Sequence, residues 1–127
     1  MTQQTMEQLV AAARSRIREI SVGQLRQGIE DDAVLIDVRE ADEHAAGHIP
    51  GSVNLPRGVL EAEVAPGPEM GGMVAPELQD RDRPIYLYCR SGGRSALAAD
   101  ALQNMGFTRV ASVAGGMLMW EATDDAA

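Results

Sequence analysis

Two short apolar runs constrain the fold more than any other feature of the chain. Ala33-Val34-Leu35-Ile36-Asp37 and Pro84-Ile85-Tyr86-Leu87-Tyr88 are almost unbroken hydrophobic stretches, rich in β-branched and aromatic residues and bounded by charged or turn-forming ones. Runs of this length and composition read as strands buried on both faces, whereas a strand with one wet face would alternate. Pro84 fits, because a strand's first position needs no ladder donor. Helical patterns lie between and around these runs. In 5–18, Met6, Leu9, Val10, Ala13 and Ile17 recur at helical spacing. Glu19-Ile20 is a short extended segment, and Ser21 is placed to cap a helix running through Leu25 to about Gly28. Glu40 to Ala46 forms a further short helix that stops at Gly47, before a turn at His48-Ile49-Pro50-Gly51. Ser52 to Leu55 reads as a strand and Pro56 to Glu63 as helical. Arg94 to Met105 is a helix with an apolar stripe of Leu97, Ala98, Leu102 and Met105, closed by Gly106. Arg109–Val113 is a strand and Gly116–Ala122 a final helix. Strands that alternate with helices predict an α/β domain around a parallel sheet.

The chain's 127 residues suit one domain, and 45% hydrophobic content fills one core. Aromatics contribute only 3%, so Ala, Val, Leu, Ile and Met must build it. A formal net charge of −8 excludes nonspecific binding to nucleic acid or an anionic membrane. It also requires any anionic substrate to find a local positive pocket. No run approaches the roughly 18 apolar residues that span a bilayer, and the N-terminus lacks a signal-peptide pattern. The single cysteine cannot form an internal disulfide. These features set the expectation of a reducing, cytoplasmic location.

The loop after the second apolar run carries the chemistry. In Cys89-Arg90-Ser91-Gly92-Gly93-Arg94-Ser95, the thiol stands at a strand's carboxyl end, where open α/β sheets bind ligands. Gly92 and Gly93 allow the backbone to turn successive N–H groups inward. The following helix adds its positive N-terminus, and Arg90 and Arg94 add full charges. Each of these favours a thiolate over a thiol, giving a nucleophile beside donors suited to an anionic substrate.

Three separated segments resemble the rhodanese family: Leu35-Ile36-Asp37-Val38-Arg39-Glu40, with Glu43 and Gly47-His48-Ile49-Pro50-Gly51-Ser52; the Cys89–Ser95 loop; and Gly106-Phe107 to Val110, with Gly115-Gly116 and Trp120. The resemblance spans about Ile20 to Trp120 and implies a three-layer α/β/α fold with a central parallel sheet of about five strands. It divides the chain into an N-terminal helical extension (1–18), a rhodanese-like domain (19–123) and a short acidic tail (124–127). It also implies a sulfurtransferase. Cys89 takes sulfur from thiosulfate or a related donor as a persulfide and passes it to a thiol or cyanide. The N–H groups from Arg90 to Ser95 cradle the sulfur, and Arg90 and Arg94 hold the donor's oxyanion. No metal or organic cofactor is implied. The alternative is a carrier module that relays persulfide sulfur to a partner protein. Related phosphatases and arsenate reductases place five residues between cysteine and arginine, and the phosphatases usually put histidine before the cysteine. Here four residues separate Cys89 from Arg94, and Tyr88 precedes the cysteine.

Asp37 and Arg39 read first as a structural ion pair near the site. Arg57 follows the second short strand, at a carboxyl end that places it for a further positive contact with the pocket. His48 is expected to fix its turn by a hydrogen bond rather than to move protons, and no Asp/His pair stands out as a relay. Trp120 is expected to cap the core, with Met117 and Met119 as packing residues. Residues 64–76, with three prolines and three glycines, read as an irregular inserted loop.

Overall fold

The two apolar runs become adjacent strands at the heart of a parallel sheet in the computed structural model, which describes residues 3–64 and 75–124. Strand β2 (Val34–Asp37) pairs with β4 (Ile85–Tyr88) from Val34 opposite Ile85 to Asp37 opposite Tyr88, and every residue of both is buried. Strand β1 (Arg18–Ile20), strand β3 (Val53–Asn54) and strand β5 (Val110–Val113) complete a five-stranded sheet in the order β1-β5-β4-β2-β3, with every pairing parallel.

Side-chain alternation along these strands makes two cores. Val34, Ile36, Ile85, Leu87 and Cys89 face one side with Ala98, Ala99 and Leu102 of α4 (Gly93–Asn104). Leu35, Tyr86 and Tyr88 face the other with Val22 and Leu25 of α2 (Val22–Gln27) and Met117 of α5 (Gly116–Asp124). With α1 (Met6–Arg14) packed on α4, the layers are α/β/α, as the family resemblance implies. A short α3 (Ala41–Ala46) follows β2. From β2 the chain steps outward to β3, and from β4 it steps the opposite way to β5. That reversal opens a crevice at the carboxyl ends of β2 and β4.

Local chemistry sets the element ends. Thr5 and Ser21 cap α1 and α2 through reciprocal bonds with Gln8 and Gln24. The helix expected over 5–18 is shorter, because Arg18–Ile20 pairs with Ala111–Val113 of β5 and draws the chain into the sheet. The helix expected over Pro56–Glu63 is instead two 3-10 turns, Arg57–Val59 and Glu61–Glu63, where Gly58 weakens a longer helix and Leu60 is pulled into the core. Most of the inserted loop, residues 65–74, and the tail residues 125–127 lie outside the described residues, as do residues 1 and 2. The two ends of that loop are joined by the Ala75 N–H donating to the Glu63 carbonyl at 2.9 Å. Among the described residues no helix is long and apolar enough to cross a membrane.

Candidate active site

Cys89 directly follows β4, the middle strand of the sheet, and its Sγ is held from the front by the loop that it begins. The Gly92 amide donates to Sγ at 3.1 Å and the Ser95 amide at 3.4 Å. In its thiol form Sγ donates to Ser95 Oγ at 3.6 Å, and that hydroxyl also meets Gly92 O and Ser112 Oγ. Gly92 makes this geometry possible. It sits at φ +109°, a conformation a side chain resists, and an added Cβ would meet Arg14 Nη2 at 3.1 Å. Helix α4 then starts at Gly93, its first amides directed at the turn. Partial positive charge and two N–H dipoles therefore converge on one sulfur, an arrangement that stabilises negative charge there.

The loop is equally fixed from behind. The Met117 and Leu118 amides at the start of α5 donate to the carbonyls of Cys89 and Arg90 at 2.8 and 3.0 Å. Such close approach demands glycine at 116: a Cβ there would lie 2.3 Å from Cys89 O and 2.8 Å from Arg90 O, at φ +51°. Gly116→Ala is therefore expected to push α5 off the loop. The overpacking should cost about 1–3 kcal/mol by denaturant titration; unchanged stability would mean that the loop accommodates the methyl group.

A cavity of about 420 Å³ opens beside Sγ. Its loop wall is Cys89, Ser91, Gly93 and Arg94, and its other wall is Met6, Glu7, Val10 and Arg14 of α1. Arg94 is present but is clamped in a two-pronged pair with Glu43 at 2.8 and 3.1 Å. This pair draws Glu43 down to about 2, through the Arg94 hydrogen bonds first, and raises Arg94 above its already high value. Arg90 points elsewhere, lining a neighbouring cavity of about 240 Å³ with Arg39, Glu43 and Glu121. Arg57 is not brought to the Cys89 cavity; it pairs with Glu61 at 2.5 Å.

Asp37 and Arg39 form the buried ion pair expected from their sequence positions. Asp37 accepts from the Arg39 amide at 3.0 Å, Arg39 Nη2 at 2.8 Å and His44 Nδ1 at 2.8 Å. Burial pushes the Asp37 carboxyl up, but these hydrogen bonds outweigh it and hold it below the ordinary range. Arg39 Nη2 continues to Gly47 O, tying α3 back to β2. His48 fixes the turn as expected, its Nδ1 donating to His44 O, and its ring stacks on His44 at 3.8 Å. The Asp37–His44 pair was not visible as such in the sequence, because their seven-residue separation gains meaning only once α3 folds back. Trp120 packs against the second core under Arg26, Met117 is buried, and Met119 lies half-exposed against Gly115.

Beyond the loop, the sequence left Arg14, Met6 and Val10 unmarked as site residues. Nothing in their spacing told where α1 would lie. Glu43 did carry a signal, as part of the first family-like segment.

Comparison with known proteins agrees with this architecture. Residues 21–123 match the family model described as the rhodanese-like domain. The chain is 38% identical over 108 residues to a putative sulfur carrier protein, YrkF of Bacillus subtilis, covering 84% of this chain and 52% of that protein. Thus it spans about half the length of that relative. It is 36% identical over 94 residues to the thiosulfate sulfurtransferase GlpE of Pseudomonas savastanoi pv. phaseolicola, covering 74% of this chain and 77% of that one. Among solved structures, a Rhodopseudomonas palustris protein of unknown function, described as a possible tyrosine phosphatase, superposes with a TM-score of 0.85 at 30% identity, over 98% of this chain and 94% of its own. The fold, the cysteine loop closing the central strand and the matched span place this chain in the rhodanese-like domain family.

Proposed function

We propose that the chain is a sulfurtransferase that carries sulfane sulfur as a persulfide on Cys89. The observation that carries this reading is the pair of backbone amides, from Gly92 and Ser95, aimed at Sγ at the mouth of a cavity. As a thiolate, Cys89 attacks the outer sulfur of thiosulfate. The sulfur–sulfur bond of the donor breaks, sulfite leaves with the electron pair, and the persulfide anion remains on the protein. A thiolate or cyanide then attacks the outer sulfur and restores the Cys89 thiolate. The free amides of Gly93 and Arg94, which precede the first helical donor of α4, are suited to receive the outer sulfur. A free nucleophilic thiol of this kind fits a reducing, cytoplasmic setting.

Incubation with thiosulfate should add one sulfur, about 32 Da, to the intact chain and release equimolar sulfite. Absence of both with every sulfane donor tried would refute the reading. The relay alternative is favoured by the similarity to a putative sulfur carrier; a stable adduct with negligible thiosulfate turnover would select it. The phosphatase description of the structural neighbour is not adopted, since the shorter Cys89–Arg94 loop suits one sulfur better than a tetrahedral oxyanion, and no aryl-phosphate hydrolysis is expected.

Arg94 is assigned to holding the donor's oxyanion, steadied by Glu43. Arg94→Ala should raise the donor's KM about tenfold with a smaller change in kcat, the signature of lost ground-state binding. An unchanged KM would remove Arg94 from the binding site.

A further inference from the structure

We propose that Ser112 is a positioning residue for the discharge of sulfur: acting through Ser95, it supplies a hydroxyl donor that stabilises Sγ of Cys89 when that atom leaves as a thiolate. The proposal rests on sulfur transfer at Cys89 and assigns a residue outside the cysteine loop to one of the two half-reactions.

Ser112 is out of place by its surroundings. It lies in β5, where Val110, Ala111, Ser112 and Val113 are all buried. It stands opposite Leu87 of β4, in the core that packs on α4. A hydroxyl taken out of water at such a position is costly unless it finds a hydrogen-bond partner. That partner is Ser95 Oγ, at 2.8 Å, and among the described residues the Ser112 hydroxyl has no other. Ser95, in the first turn of α4, is as fully buried as Ser112.

A count of protons fixes the direction of this bond. Each hydroxyl carries one proton and two lone pairs. Were Ser112 to accept from Ser95, its own proton would be buried without an acceptor, and the Ser95 oxygen would turn lone pairs toward Sγ. With Ser112 donating, both protons are used. The Ser95 proton is then free to turn between Gly92 O, at 3.2 Å, and Sγ, at 3.6 Å. In the thiol, Sγ donates to Ser95 and the Ser95 proton rests on Gly92 O. In the thiolate, that proton swings to Sγ and joins the Gly92 and Ser95 amides there. Ser112 donates in both states, and donation into the Ser95 oxygen makes that hydroxyl the stronger donor.

The two half-reactions use this donor unequally. In loading, Sγ starts as a thiolate and surrenders its charge to the new sulfur–sulfur bond, so a donor held on Sγ restrains the attack. In discharge, the acceptor's electron pair forms a bond to the outer sulfur, the bond from that sulfur to Sγ breaks, and Sγ leaves with the electron pair. Charge develops on Sγ, and a donor already aimed at it stabilises the leaving group. With cyanide as acceptor the products are thiocyanate and the Cys89 thiolate. No proton, oxidant or reductant is consumed.

The test separates the half-reactions by single-turnover kinetics on the full chain. The pH is set where raising it further no longer speeds alkylation of Cys89 by iodoacetamide, so that every variant is fully ionised. Loading by thiosulfate is read as the adduct of about 32 Da, and discharge by cyanide as thiocyanate. Ser112→Ala should slow discharge about threefold or more while loading is no slower. Ser95→Ala should show the same split, and adding Ser112→Ala to it should change neither rate further, because Ser112 acts through Ser95. Ser112→Thr keeps the hydroxyl and should restore the wild-type ratio of the two rates. Unchanged discharge or equal slowing of both steps in Ser112→Ala, further loss in the double variant, or the alanine ratio in Ser112→Thr would each overturn the role of Ser112 and leave sulfur transfer standing. Failure of the wild-type chain to load would overturn both.

Discussion

Cys89→Ser is expected to yield a folded protein that cannot be loaded with sulfur. Serine is close in size to cysteine, and its hydroxyl can accept the same Gly92 and Ser95 amides, so the loop should retain its shape. What disappears is the sulfur that forms the bond. Where a residue is the covalent nucleophile its loss removes nearly all catalysis, so turnover should fall by roughly a thousandfold or more. The thermal midpoint should move little, because Cys89 is one small contributor to a core that includes Ile36, Ile85, Leu87 and Leu102. Intact-mass measurement after exposure to thiosulfate, beside a steady-state assay, tests both halves. Appreciable turnover by the serine variant would mean that another group accepts the sulfur.

Asp37→Ala should have the largest effect on stability. Its carboxylate is fully buried, and it accepts from the Arg39 amide, the Arg39 guanidinium and His44. Removing it leaves the buried Arg39 charge without its counterion, and breaking one partner of a buried pair typically costs about 3–5 kcal/mol. For a chain of this size that corresponds to a fall of roughly 10–20 °C in thermal midpoint. A loss under about 1 kcal/mol in urea titration would show that water replaces the carboxylate.

The same group shapes the acid limb of stability. Its folded-state pKa lies below the value in the unfolded chain. Its contribution is therefore complete above the ordinary aspartate range and is lost as the pH falls through the depressed value. Glu43 acts in the same direction, with its contribution lost between about pH 4.5 and about 2. Asp37→Ala should accordingly flatten the pH dependence of stability in this acid window as well as lower the whole curve.

The sheet was legible because doubly buried parallel strands write themselves as apolar runs; β2 (Val34–Asp37) and β4 (Ile85–Tyr88) lie within the runs at 33–37 and 84–88. The cysteine loop was legible for a related reason. Cys89, Gly92 and Ser95 are close in sequence, so one local turn is enough to bring them together. The far wall of the cavity was not. Arg14 and Gly92 are distant in sequence, and only the packing of α1 on α4 joins them. The charges of Arg90 and Arg94 were visible, but their directions were not. Glu43 captures one, and the other turns into a separate cavity with Arg39. The helical segment expected over Pro56–Glu63 is present as two 3-10 turns and not one continuous helix, because burial of Leu60 outweighs helical propensity in a segment broken by Gly58.

The attachment of α5 to the carbonyls of Cys89 and Arg90 makes the cysteine turn and the last helix one cooperative unit. Neither can open without exposing the Met117 and Leu118 amides to solvent. Deuterium uptake at those two positions thus becomes a clock for excursions of the turn, readable without any substrate. A sulfur atom that tightens the turn should slow that clock.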